Sequence, residues 1–201
     1  MGNELKRTNL KIVSDFSDFY DCLSDELGTV QFIRNKSSMP SKVEGINILR
    51  DMGIQTINPM AVSSIISDKV IVYTNVNKHD GTGRAVMKSG EAKLMYPNYL
   101  GCKYYAESDN MLIKMLQVGS RRFKIIFKNE IMQSIEETAS GYNMSLALPI
   151  YSIDYISTND GLLAITLNTV ENLSLYGIEN IMSKEDVVKE IYDALIKYNK
   201  A

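Results

Sequence analysis

The chain has no tryptophan, one histidine, two cysteines and four prolines in 201 residues, and each scarcity removes a class of explanation. Cys22 and Cys102 lie far apart, without the paired spacing of a zinc site or a redox motif, so no disulfide is assigned. His79 would have to serve any serine–histidine or cysteine–histidine mechanism. It sits beside Asp80 and Gly81, a loop setting ill suited to a preorganised base, and such hydrolase chemistry is disfavoured. No apolar run approaches the roughly 18 residues a membrane helix needs. Met1-Gly-Asn-Glu-Leu-Lys-Arg-Thr8 is polar rather than signal-like, so a cytoplasmic location without membrane association is expected. A surplus of positive charge is missing as well. The balance of 22 Lys+Arg against 24 Asp+Glu gives a net charge of −2, which argues against a general nucleic-acid binder and leaves room for a local basic pocket holding one triphosphate.

Apolar material is present in quantity. At 45% hydrophobic and 23% charged residues the chain can bury a substantial core, as one domain or two small lobes. Periodicity predicts strands near 9–13, 29–33, 54–57, 70–75, 84–88, 122–128, 130–136, 150–157 and 162–168, and helices near 17–26, 41–52, 59–67, 108–117 and 184–199. Strands and helices alternate to about residue 67 and antiparallel pairs dominate afterwards, so the expected fold class is α+β, an α/β lobe followed by an antiparallel-sheet region. Ser41-Lys-Val-Glu44 is a capping box, and Gly53 stands where a left-handed residue would close that helix. Asn58-Pro59 reads as a cap followed by proline at the first helical position. Tyr96, Tyr99, Tyr104 and Tyr105 cluster in one passage, where tyrosines pack with their polar tips in water or stack on an adenine or a peptide.

The most informative stretch runs from Tyr151 to Thr169. Two alternating segments meet at Asn159-Asp160-Gly161, a strong hairpin turn, and the alternation puts Asp154, Thr166 and Asn168 at neighbouring positions of one ribbon. Two oxygen ligands on a rigid hairpin are the beginning of a Mg²⁺ site, although a half-buried hairpin with outward polar residues has the same pattern. Thr169-Val-Glu-Asn-Leu-Ser-Leu-Tyr-Gly-Ile-Glu179 follows. Ser183-Lys-Glu-Asp186 then opens an amphipathic helix with Val187, Val188, Ile191, Leu195 and Tyr198 on one side.

This order resembles the C-terminal end of the ATP-grasp ligases, particularly the RimK-like branch that joins an amino acid to a carboxylate. The N-terminal third resembles the same family through Gln31-Phe-Ile-Arg34, Gly45-Ile-Asn-Ile-Leu-Arg-Asp-Met-Gly-Ile-Gln-Thr-Ile-Asn-Pro59 and Ala61-Val-Ser-Ser-Ile-Ile-Ser-Asp-Lys69. The resemblance implies ATP and Mg²⁺ as cofactors, with Asp154 and Asn168 holding the metal. Thr166 stands where the family carries a glutamate, and near Tyr73 a second nucleotide-binding lysine is missing. Lys69 would approach the nucleotide. Lys78, Gly81, Gly83 and Arg84 would form a flap over the phosphates, where glycine admits close backbone approach and the cations add charge. Arg122 would face the transferred phosphate, with Arg121 as a neighbour that could serve instead.

The organisation implied is a pre-ATP-grasp-like lobe over 1–67, a small subdomain over 68–118 and a C-terminal subdomain over 119–201. The implied reaction is ATP-dependent ligation of a small-molecule or peptide carboxylate to an amine through an acylphosphate. The departures at Thr166 and Tyr73 set against it a degenerate protein, of a kind a mobile element could encode, that keeps the fold as a nucleotide- or partner-binding scaffold, with Glu171 as a candidate compensating carboxylate.

Overall fold

Helix α1, Lys42–Asp51, begins where its sequence says it should. The Glu44 amide donates to Ser41 Oγ at 3.3 Å and the Ser41 amide donates to Glu44 Oε2 at 2.7 Å, satisfying two donors that no earlier turn can accept from. Ser41→Ala should therefore cost about 1 kcal/mol of unfolding free energy, read from the denaturant midpoint. Gly53 ends the helix in the left-handed region at φ 76°. The computed structural model describes residues 40–78, 82–105, 111–138, 146, 148–159, 161–169 and 176–199. The strands expected near 9–13 and 29–33, the helix near 17–26, and residues Cys22, His79, Gly81 and Glu171 lie outside the described residues.

Two antiparallel sheets follow α1. The first contains β1 (Met60–Ala61), β2 (Lys69–Tyr73), β3 (Arg84–Lys88) and β4 (Leu100–Lys103) in the order β1-β4-β2-β3. Helix α2, Ser89–Met95, packs Ala92 against Val62, Ile65, Val70 and Val72 of this sheet region. The second sheet contains β5 (Met111–Val118), β6 (Arg121–Lys128), β7 (Ile131–Glu137), β8 (Ile150–Thr158) and β9 (Gly161–Asn168) in the order β7-β6-β5-β8-β9. Helix α3, Lys184–Asn199, follows the large sheet.

Three segments differ from the periodicity reading. The stretch 59–67 is not an α-helix: Met60 and Ala61 pair with Gly101 and Leu100, and only Val62–Ser64 make a 3₁₀ turn. The Val62 and Ser63 amides donate to the Tyr99 and Pro97 carbonyls, so backbone donors a helix would use are committed to the neighbouring chain. The stretch 54–57 is reduced to one parallel bridge, Thr56 to Ala164 at the β9 edge. The stretch expected as a helix near 108–117 is strand β5, central in the five-stranded sheet and buried from Ile113 to Val118. A strand covered on both faces shows a continuous apolar run instead of alternation, which a helix also shows. Consequently β5, within the segment 68–118 of the sequence division, sits between β6 and β8, while β1 joins the small sheet.

Both faces of the large sheet carry a core. One presents Leu116, Val118, Phe123 and Ile125 to Tyr176, Ile178, Met182 and to Val187 and Ile191 of α3. The other packs Ile113, Met115, Tyr151, Ile153, Tyr155 and Leu167 against Leu49 of α1. Each such aliphatic side chain contributes about 1.5–3 kcal/mol on burial, enough to hold a helix that would be marginal alone. A third cluster, Ile46, Ile57, Tyr73 and Cys102 with Ile165 packed against it, fastens α1 to both sheets and fixes where Lys42 stands. Among the described residues, no helix is long and apolar enough to cross a membrane.

Candidate functional site

The β8–β9 hairpin turns between Thr158 and Gly161, with Thr158 Oγ1 donating to the Gly161 carbonyl at 2.8 Å. Ser152 lies opposite Asn168 and Asp154 opposite Thr166, with a register shift between Asp154 and Tyr155 that leaves Ile165 as the extra residue. Asn168 Nδ2 lies 3.1 Å from Asp154 Oδ2 and 3.3 Å from Ser152 Oγ. Thr166 is buried, and its hydroxyl donates to the Ile165 carbonyl at 2.8 Å. Opposite Asp154 on the other side stands Lys114 of β5. Its Nζ is 2.7 Å from Asp154 Oδ1 and donates to Ser152 Oγ at 3.0 Å, with the Tyr176 ring centroid 5.6 Å away. The two charged side chains are only 9% and 16% exposed, so this is a buried ion pair. Asp154 Oδ1 accepts no well-aligned hydrogen bond, and the ammonium beside it is what offsets its charge.

Lys114 carries no part in the sequence reading because its segment reads as a helix. The available signal is one lysine inside Met111-Leu-Ile-Lys-Met-Leu116, an apolar run that would bury a charge only with a partner.

A second group of polar residues gathers at the N-terminus of α1. The Lys42 amide donates to the Val76 carbonyl at 2.8 Å, and the Lys42 Nζ lies 5.8 Å from the Tyr73 ring centroid. Arg84 pairs with Tyr73 in the β2–β3 register. Tyr73 is buried with its hydroxyl 3.2 Å from Cys102 Sγ. Burial, then the positive charge of Arg84, hold the Lys42 ammonium below the usual lysine range, while the Asp154 carboxylate pulls the other way. Burial pushes the Cys102 thiol and the Tyr73 phenol up, so both stay neutral. Lys42 and Arg84 are thus two cations in mutual repulsion, within electrostatic reach of the Asp154 hairpin.

No protein-family model matches the sequence, and no characterised protein matches it by sequence comparison. Solved structures do match by shape. The D-alanine–D-alanine ligase of Bacillus anthracis complexed with ATP superposes with a TM-score of 0.53 at 10% identity, covering 94% of this chain and 78% of that one. The biotin carboxylase of Campylobacter jejuni gives 0.52 at 9%, covering 91% and 53%. The pyruvate carboxylase of Rhizobium etli gives 0.53 at 11%, covering 91% and 21%. The fold is that of the ATP-grasp enzymes. Identities this low speak for fold alone, and the chain spans about half the length of several of the structures it matches.

Within this ATP-grasp fold the residues singled out in the sequence fall into separate places. Asp154 and Asn168 meet on one hairpin face. Arg84 lies opposite Tyr73, whose ring is 5.8 Å from the Lys42 Nζ, at the sheet junction. Lys69 is exposed at the opposite end of β2, paired in register with Lys88, with its Nζ 5.8 Å from the Tyr104 ring. Four residues separate it from Tyr73, about 13 Å along a strand, so Lys69 is not brought to Lys42 and Arg84. Lys78 is exposed in the turn after β2, its amide donating to the Asn75 carbonyl at 3.3 Å. Gly83 is buried, and a Cβ there would press on the Asn75 carbonyl oxygen and the Lys78 side chain. Closing the β2–β3 hairpin is therefore sufficient reason for that glycine.

Arg122 is opposite Gln117, and Asp154 is opposite Lys114. Positions 114 and 117 of one unbroken strand face opposite ways, so Arg122 lies on the other face of the large sheet from Asp154. Arg121 shares the Asp154 face but is held by Glu137 through two hydrogen bonds of 2.7 and 2.6 Å.

The ATP-grasp fold makes Mg²⁺ the metal to test against this hairpin, and the described residues do not fit it. Magnesium wants hard oxygen ligands near 2.1 Å in octahedral array, more than one of them anionic or supplied by phosphate. Here one carboxylate is engaged by an ammonium, the amide nitrogen of Asn168 faces that carboxylate, and the Thr166 hydroxyl is committed to backbone. Among the described residues, no group of three His, Cys, Asp or Glu side chains gathers as a metal site.

Proposed function

We propose that the chain binds ATP at the junction of its two sheets and uses it to activate a carboxylate for ligation to an amine. The observation that carries this reading is the placement of two cations about Tyr73: Lys42 has its Nζ 5.8 Å from the ring, and Arg84, opposite Tyr73 in the strand register, is close enough to influence the charge of Lys42 together with Asp154. Two cations forced into proximity, one of them half-buried, are unfavourable alone and favourable around a polyanion. The ATP-complexed D-alanine–D-alanine ligase and the ATP-analogue complex of biotin carboxylase share the fold and support a nucleotide as that polyanion. In the reaction, a carboxylate oxygen attacks the γ-phosphorus and ADP leaves. The amine then attacks the acyl carbon and inorganic phosphate departs. Lys42 and Arg84 would bind and orient the phosphates and offset their charge.

Lys42→Ala and Arg84→Ala should each weaken ATP about ten- to a hundredfold, the loss of one charge-assisted contact of roughly 1.5–3 kcal/mol. Binding should also take up protons at alkaline pH. Lys42 is depressed in the free protein, and phosphate beside it raises it again, so the free site is partly deprotonated where the complex is not. Titration calorimetry in two buffers of different ionisation enthalpy measures this uptake, and Lys42→Ala should remove it.

Turnover is tested by supplying carboxylic acids with ATP and hydroxylamine, which traps an acylphosphate as a hydroxamate. Hydroxamate and ADP in equal amounts support the ligase. ATP binding without either across a broad set of small-molecule and peptide acids would favour the scaffold reading instead.

A further inference from the structure

The large sheet buries an ion pair at the very hairpin where the sequence pattern predicts a Mg²⁺ site. Resting on the reading of the sheet junction as an ATP site, we propose that this site works without a protein-held divalent metal, because Lys114 supplies a built-in positive charge to Asp154. Lys114 Nζ sits 2.7 Å from one carboxylate oxygen and Asn168 Nδ2 sits 3.1 Å from the other, so both oxygens already face donors. Ser152 Oγ ties the arrangement together, lying 3.0 Å from the ammonium and 3.3 Å from the Asn168 amide nitrogen. The Tyr176 ring, its centroid 5.6 Å from the ammonium, adds a face that favours a cation. A divalent ion at Asp154 would have to lie near this fixed ammonium in a poorly solvated place, and the repulsion opposes it. The phosphates are then neutralised directly by Lys42 and Arg84.

The chemistry predicts a latent metal site. Removing the ammonium leaves the Asp154 carboxylate with the Ser152 hydroxyl beside it and an Asn168 amide that can rotate to offer its oxygen, a donor set that a hard cation suits better than water alone.

The test is Mn²⁺ binding to the full chain, followed by the fall of the free Mn²⁺ paramagnetic signal, for wild type, Lys114→Met and Lys114→Met/Asp154→Asn. Wild type should bind no Mn²⁺ at this hairpin, Lys114→Met should bind one Mn²⁺ per chain, and the double variant should lose it. In parallel, ATP affinity for wild type should change by less than about threefold between excess chelator and excess Mg²⁺.

Stoichiometric Mn²⁺ on wild type that Asp154→Asn removes would overturn the proposal, as would ATP affinity falling tenfold or more on chelation. A folded Lys114→Met that takes up no Mn²⁺ would overturn it too. Should Lys114→Met fail to fold, Lys114→Gln, which keeps a hydrogen-bond donor toward Ser152, takes its place. Failure of wild type to bind ATP at all defeats the ATP reading, while the Mn²⁺ arms still decide whether Lys114 holds the cation position.

Discussion

Asp154→Ala should lower the unfolding free energy by about 3–5 kcal/mol, because it removes the carboxylate 2.7 Å from an ammonium buried inside the sheet. Lys114 is 7% exposed and central in β5, so neither water nor a rotamer change relieves it cheaply. For a domain of this size the loss corresponds to a melting temperature lower by roughly 10 °C. Replacing both partners at once, Lys114→Met with Asp154→Leu, should recover most of it, since a buried pair exchanged for apolar side chains of similar volume costs little and can stabilise. The coupling from a double-mutant cycle by chemical denaturation should therefore be large and favourable to the pair. Equal, additive losses would mean that the 2.7 Å contact contributes nothing as a pair.

Gly119→Ala should be the other severe substitution. Gly119 closes the β5–β6 hairpin at φ 60°, and a Cβ there would lie 2.5 Å from the carbonyl oxygen of Glu190 on α3. The left-handed backbone alone costs a side chain about 1 kcal/mol. The backbone contact must then be relieved by moving α3, whose Glu190 Oε2 accepts from the Ser120 amide and hydroxyl at 2.8 Å each. A total near 3 kcal/mol or more is expected, as a lower denaturant midpoint with unchanged slope. Ser120→Ala, which leaves the backbone contact intact, should cost only about 1 kcal/mol.

What was legible in the sequence followed from local chemistry. The capping box at Ser41 and Glu44 needs only four residues to make sense, and the structure closes it. The turn expected ahead of Gly161 joins the two strands that bring Asp154 and Asn168 to 3.1 Å. Misreadings arose where tertiary surroundings decide. Strand β5 is buried on both faces, so its residues carry no alternation, and Lys114 was hidden in what read as a helix. Asn58-Pro59 suits an extended entry as well as a helix start, and pairing of Met60 with Gly101 chose the former. Arg122 failed to join Asp154 for want of one parity: the register of β5 with both neighbours sets the face, and no single strand carries that information. Nothing local marks Lys42, because its significance lies in Arg84, which stands on strand β3 of the small sheet, far away in the chain.

The most direct measurement is titration calorimetry of ATP into wild type and into Lys42→Ala/Arg84→Ala, both shown by melting to be folded. One saturable site in wild type, weakened about a hundredfold or more in the double variant, is the expected result. Folded wild type that takes up no ATP, or the same affinity in both proteins, would contradict an ATP site at the Lys42 and Arg84 junction.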